Sequence, residues 1–218
     1  MRNRPPGKKR ASASKKRAPK TFSDRVYDVV RRIPSGKVAS YGDIAALLRR
    51  HLPAGDPLLP YADALTGSTL GAQDLRGYLN GSIDVVLRLR DGAATRYLVV
   101  DYKTNWLGGF GSDAVPLTSH DYRPEVLREA MGHSDYPLQA LLYAVVLHRF
   151  LRWRQPGYDP AVHLGGVLYL YLRGMCGTET PTVDGEPCGV FSWRPPVGLV
   201  EDLSDLLDGA VTGGSDRR

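Results

Sequence analysis

Two rhythms of apolar residues alternate along this chain, and each predicts a different kind of element. Phe22, Val26, Val29, Val30 and Ile33 recur at helical spacing, with Thr21 or Ser23 as a cap and Pro34-Ser35-Gly36 as the stop. Ser40 or Asp43 then caps a second short helix that runs to Leu48. HLPAGDPLLP is a loop, Tyr61 to Leu65 a weak helix and GSTLGAQ a loop again. From residue 77 the rhythm shifts. GYLNGSIDVVLRL predicts a strand, Asp91-Gly92 a hairpin turn, and TRYLVVDYK the returning strand. Residues 106–120 are an irregular loop and HDYRPEVLREAM begins a helix. Pro137 sits in the first turn of LQALLYAVVLHRFLRWR, the longest amphipathic stretch. GGVLYLYLRG and CGVFSW are late strands, and VEDLSDLLDG is a closing helix. There is no internal repeat. The order hairpin, helix, strand, helix predicts an α/β fold with a mixed sheet flanked by helices.

Charge changes this picture at one end. The formal net charge is +6, yet residues 1–20 hold nine basic groups and no acid. The rest carries 20 basic residues against 23 acidic ones and is mildly acidic. Lys8, Lys9, Arg10, Lys15, Lys16 and Arg17, spaced by Ser, Ala, Pro and Gly, predict a disordered tail. Such a tail attracts phosphate backbones without reading sequence; a merely solubilising leader is the alternative. No apolar run is long enough to span a bilayer, and the basic start lacks the apolar core of a secretory signal. Two isolated cysteines, Cys176 and Cys188, suit a reducing, cytoplasmic setting.

The candidate chemistry lies where the returning strand ends, in VVDYKTNW. Side chains alternate across a strand, so Asp101 and Lys103 share a face while Tyr102 points away. The hairpin brings in a second carboxylate, Asp84 of GSID. Neighbouring carboxylates repel unless a positive charge lies between them, and hard divalent cations with oxygen ligands meet that need, Mg²⁺ above all. A lysine beside such a site can position water or steady developing negative charge. Two carboxylates, a lysine and a divalent ion describe metal-assisted phosphodiester hydrolysis. By itself the D-x-K tripeptide reads as a surface salt bridge at a strand end, and the Asp84 strand and hairpin bring the two readings level.

The run GYLNGSIDVVLRL…RYLVVDYKTNWLG resembles the nuclease domain of the RecB subunit of bacterial exodeoxyribonuclease V. The likeness continues through HSDYPLQALLYAVVLHRFLR, HLGGVLYLYLRGM and GVFSWRPPVGLVEDLSDLL, over about residues 49–208. The resemblance implies the restriction-endonuclease-like fold of the PD-(D/E)xK superfamily, Mg²⁺-dependent cleavage of DNA in double-strand break repair and recombination, and helicase subunits of a RecBCD-type complex as partners. It assigns Asp84 and Asp101 to the metal and a catalytic role to Lys103. The family's Gln-x-x-x-Tyr signature stands as Gln139 and Tyr143, four residues apart and so on one helix face. The chain departs from the family upstream, where a helix with a metal-ligating histidine is expected. Only His51 precedes Asp84, in LLRRHLPAG without matching surroundings, and it reads as a solvated helix-end histidine.

TFSDRVYDVVRRIPSGKVASYGDIAALL, residues 21–48, resembles the DNA-binding domain of alkylguanine-DNA alkyltransferases and alkyltransferase-like proteins. That resemblance adds Tyr41 to the candidate DNA contacts. The arginine-bearing recognition helix and the Pro-Cys-His-Arg nucleophile of that family are missing, and Cys188, in Pro187-Cys188-Gly189, reads as structural. No phosphate-binding G-x-x-x-x-G-K-[ST] loop occurs, so no ATP-driven motor is expected here. The organisation expected is a basic tail at 1–20, a truncated helix-turn-helix fragment at 21–48, a nuclease domain at 49–208 and a flexible C-terminus at 209–218.

Overall fold

Hairpin, crossover helix and late strands combine into one mixed sheet, seen in a computed structural model that describes residues 39–67, 74–75, 81–92, 94–109 and 115–209. The basic tail, the predicted helix at 22–33 with its stop, residues 68–73 and 76–80, and the C-terminus from 210 lie outside the described residues. In chain order the elements are β1 (Ala39–Ser40), α1 (Tyr41–His51), α2 (Tyr61–Thr66), β2 (Asp74–Leu75), β3 (Val85–Asp91) and β4 (Ala94–Lys103). They continue with α3 (Pro124–Gly132), α4 (Tyr136–Arg154), α5 (Pro160–His163), β5 (Leu164–Tyr171), β6 (Thr182–Val183), β7 (Glu186–Pro187), β8 (Val190–Trp193) and α6 (Val197–Leu207).

The main sheet has the order β3-β4-β5-β8. β4 and β5 run parallel, joined through α4, while the β3-β4 and β5-β8 pairs are antiparallel. The expected α/β class with a mixed sheet is therefore what forms. The first strand is shorter than its sequence predicts: GSID leads into it, and pairing starts at Val85 opposite Val100. A small hairpin, β6-β7, was not anticipated. Its turn, Asp184-Gly185, has positive φ at both residues (51° and 83°), the conformation that tight two-residue hairpins favour.

Ser40 caps α1. Its hydroxyl accepts from the Asp43 N–H at 3.1 Å and the Asp43 carboxylate accepts from the Ser40 N–H at 2.9 Å, a reciprocal capping box. Ser40→Ala is expected to cost about 1 kcal/mol and to lower the thermal midpoint by about 2–4 °C, read by circular dichroism. The helix runs past Leu48 to His51, through the expected boundary between the two segments. Its Ile44, Ala45, Leu47 and Leu48 bury into the same core as Leu199, Val200 and Leu203 of α6 and Leu141 and Val145 of α4.

α4 departs from simple amphipathicity. Ala140, Ala144, Leu147 and Leu151 are buried, yet Val146, Phe150 and Trp153 stand about half exposed. Among the described residues no helix is long and apolar enough to cross a membrane.

Candidate active site

The C-terminal end of β4 shows the expected alternation. Asp101 and Lys103 are 5% and 8% exposed, while Tyr102 between them is 47% exposed. Parallel pairing sets Asp101 beside Tyr169 and Lys103 beside Tyr171 of β5. The first turns of α4 close the same face. Lys103 Nζ lies 2.5 Å from Asp101 Oδ1 and donates to Gln139 Oε1 at 3.1 Å. The ammonium also sits 3.9 Å from the ring centroid of Tyr136 and 4.9 Å from that of Tyr169. It is thus paired, hydrogen-bonded and faced by two aromatic rings, which offsets the cost of burying it.

Gln139 is the hub of this network. Its Oε1 accepts from Lys103 and, at 3.1 Å, from the Tyr169 hydroxyl; its Nε2 donates to the Tyr143 hydroxyl at 2.8 Å. Tyr143 in turn donates to the Ser82 carbonyl, tying α4 to the entry of β3. Burial, then the Asp101 charge, pushes the pKa values of Tyr143 and Tyr169 above the ordinary phenol value, with the Gln139 hydrogen bond opposing the shift at Tyr143. Tyr171 is raised by burial, then by its neighbours Tyr136 and Asp101. All three remain neutral donors at physiological pH. The strand exit is tied down as well: Asn105 accepts from the Tyr122 hydroxyl through its carbonyl (2.9 Å) and from the Tyr136 hydroxyl through Oδ1 (3.1 Å).

Asp84 reaches the same end of the sheet from the other chain of the hairpin. Its Oδ2 accepts from the Tyr102 N–H at 3.1 Å, and its side chain is exposed where that of Asp101 is buried. The hairpin register therefore brings both carboxylates to the strand end, as the sequence predicts. The donor set is all oxygen and includes two carboxylates, which suits a hard cation that keeps several waters. Among the described residues no group of three or more His, Cys, Asp or Glu side chains gathers to hold a metal ion.

The other sequence candidates sit elsewhere. His51 is not a solvated helix end: its Nε2 lies 2.8 Å from Asp202 Oδ2 of α6, which also pairs with Arg50 at 3.3 Å. Tyr41 opens α1 and packs, partly buried, against the core. Lys8, Lys9, Arg10, Lys15, Lys16 and Arg17 lie outside the described residues. Cys188 is fully buried, its thiol pushed up by desolvation, as a structural cysteine should be; Cys176 is exposed, and both are free thiols. The rings facing Lys103 were missed. The signal for Tyr169 was the Tyr-x-Tyr of GGVLYLYLRG, whose period of two matches the Asp-x-Lys of the neighbouring strand; Tyr136, at the start of α4, had no such signal.

Residues 21–55 match the family described as the DNA-binding domain of 6-O-methylguanine DNA methyltransferase. The greater part of the chain matches RecBCD enzyme subunit RecB from several bacteria. Identity is 60% over 174 residues with the Mycolicibacterium smegmatis protein, covering 79% of this chain and 15% of that one. It is 64% over 169 residues with the Mycobacterium tuberculosis protein, covering 78% and 14%. With the Escherichia coli protein it is 36% over 156 residues, covering 71% and 12%. The chain thus spans about one seventh of the length of the mycobacterial relatives it matches. Most of this chain is homologous to a segment of RecB subunits, and a stretch similar to the methyltransferase DNA-binding domain stands in front of it.

Proposed function

We propose that this chain is a Mg²⁺-dependent deoxyribonuclease unit of RecB type, with a restriction-endonuclease-like fold, that hydrolyses phosphodiester bonds in double-strand break repair and recombination. The observation that carries this reading is the meeting of Asp84, Asp101, Lys103, Gln139 and Tyr143 at one sheet end, in a chain 60–64% identical to RecB subunits. Asp84 and Asp101 would hold the cation, which when bound supplies Lewis-acid stabilisation and lowers the pKa of a coordinated water. Lys103 offers an ammonium to a phosphoryl oxygen as its charge grows. Gln139 and the rings of Tyr136 and Tyr169 fix that ammonium, and Tyr143 fixes Gln139. DNA is the substrate, and helicase subunits of a RecBCD-type complex are the natural partners for a chain without a motor motif. Residues 1–20 would hold phosphate backbones, and residues 49–208 form the nuclease domain.

One observation favours a second reading. His51 is engaged by Asp202, and no third acidic or imidazole side chain joins the two carboxylates among the described residues. The protein would then only hold DNA, through its basic tail and partial helix-turn-helix.

Asp84→Asn separates the two readings. Asp84 is exposed, and the amide oxygen can still accept from the Tyr102 N–H, so stability should barely move. Wild type is expected to degrade linear double- or single-stranded DNA with Mg²⁺ and not with EDTA, and the variant to lose roughly two orders of magnitude or more in rate. Undiminished cleavage by Asp84→Asn would refute the metal assignment. A folded wild type that retains DNA without cutting it establishes the holding function instead.

A further inference from the structure

A track of exposed arginine and aromatic side chains leads away from the site, between the edge strand and the crossover helix. β3 and α4 run in the same direction along it. At the site end Tyr143 reaches the carbonyl of Ser82, just ahead of β3. At the far end the Tyr97 hydroxyl donates to Gln155, which caps α4, at 3.0 Å, and Tyr97 is the β4 partner of Arg88.

One side of the track is set by pairing. Val86 pairs with Val99, Arg88 with Tyr97 and Arg90 with Thr95. Paired residues share a face, and Val99 shares its own with Asp101, so Val86, Arg88 and Arg90 lie on the face that carries the site. From Asp84 to Arg90 the row covers about 20 Å. Val86 is 45% exposed; Arg88 and Arg90 are exposed and have no ion-pair partner among the described residues.

The other side is α4. Ala140, Ala144, Leu147 and Leu151 are turned into the core, and Arg149 bonds to Ser204 of α6. The stripe left over continues from Gln139 and Tyr143 through Val146, Phe150 and Trp153 at helical spacing. Phe150 and Trp153 meet edge to face at 6.4 Å, and the Arg154 guanidinium lies 4.9 Å from the Trp153 ring.

We propose that this track binds single-stranded nucleic acid and leads it to the strand-end carboxylates. The inference rests on the nuclease reading for where the strand leads, though binding itself requires no cleavage. Three guanidiniums, none of them neutralised by a carboxylate among the described residues, complement a phosphate backbone. Half-exposed aromatic rings beside them are platforms for unpaired bases. A duplex keeps its bases stacked on each other and gives those rings nothing to stack on. An apolar protein surface would leave the arginines without counter-charge.

The test uses the full chain with the nine basic residues of 1–20 replaced by Gln, so that the tail does not mask the track, and a fluorescein-labelled oligothymidylate in EDTA read by anisotropy. Arg88→Gln with Arg90→Gln is expected to weaken binding roughly tenfold or more and to reduce the salt slope by about 1.4, the loss of two single-strand phosphate contacts. Trp153→Ala should weaken binding and leave the slope unchanged. A matched duplex should bind less tightly than the single strand. Equal affinity and slope in all these variants would overturn the proposal and reassign the face to a protein partner. Because the readout is binding without metal, a chain that never cleaves but loses affinity in the variants refutes the nuclease reading alone. One that cleaves but binds identically in every variant refutes the track alone.

Discussion

Asp101→Ala will lose both cleavage and about 3–5 kcal/mol of stability, and adding Lys103→Met to it will restore much of the stability and none of the activity. Both residues are over nine-tenths buried and their charged atoms lie 2.5 Å apart, so removing the carboxylate leaves an ammonium in the interior without its counter-charge. What remains around Lys103 is the Gln139 carbonyl oxygen and the faces of Tyr136 and Tyr169, which soften the loss and argue for the lower half of that range. Methionine keeps the length of the lysine stem without the charge and lies comfortably against aromatic rings. Replacing both members of a buried ion pair by apolar groups is often neutral or better. Urea unfolding of the two single variants and the double, with Mg²⁺-dependent cleavage measured in parallel, checks this. Additive losses in the double variant would mean that Lys103 stabilises the fold by its packing alone, and the pair would not be a charge centre maintained for chemistry at the expense of stability.

That expectation rests on the structure more than on the sequence. VVDYK alone reads as a surface salt bridge; Asp84 of the hairpin and the family resemblance pointed to chemistry, and the burial of Asp101 and Lys103 is what the structure adds. The hairpin was legible from Asp91-Gly92 between two apolar runs, which brought Asp84 to the site end, but its register was not: Asp91 is still in the ladder, opposite Ala94. Gln139 and Tyr143 were legible only through the family's Gln-x-x-x-Tyr signature, the spacing of four adding that both lie on one helix face. What local pattern could not show depends on contacts distant in sequence. His51 read as solvated because its partner, Asp202, is 151 residues away. The ring of Tyr169 faces Lys103 only because β5 pairs with β4 in one register out of several, and that of Tyr136 because α4 begins over the same strand end. The packing of α1 into the common core was hidden by its likeness to an unrelated DNA-binding domain, which said nothing about which surface its apolar face would cover.

That β4-β5 register depends on two glycines, and Gly166→Ala is expected to cost about 3 kcal/mol or more. Tyr97 pairs with Leu164 but Leu98 pairs with Gly166, so Gly165 is an extra residue, a bulge in β5. The extra residue lets Leu164 and Val167 both face the core although they are three apart, and it carries Tyr169 and Tyr171 onto the face of Asp101 and Lys103. A slip of one residue would turn those tyrosines to the opposite face and strip the Tyr169 ring from the ammonium. Gly166 holds this geometry at φ +105°, and a Cβ there would stand 2.5 Å from the Trp193 carbonyl oxygen and 3.1 Å from the Arg194 Cα. Backbone atoms of β8 cannot give way as a side chain can, so steric overlap adds to the conformational strain. Gly177→Ala is the control. It has φ +67° with nothing within 4 Å, so it should pay only the left-handed backbone cost, about 1–2 kcal/mol. Urea unfolding of the two variants should separate them by at least about 1 kcal/mol. Upfield ring-current shifts of the Lys103 ε-methylene protons, present in wild type and in Gly177→Ala, should shrink in Gly166→Ala as Tyr169 moves away. Equal losses in the two variants, with the ring-current shifts intact, would show that the β5 register is set elsewhere and that the bulge only relieves crowding.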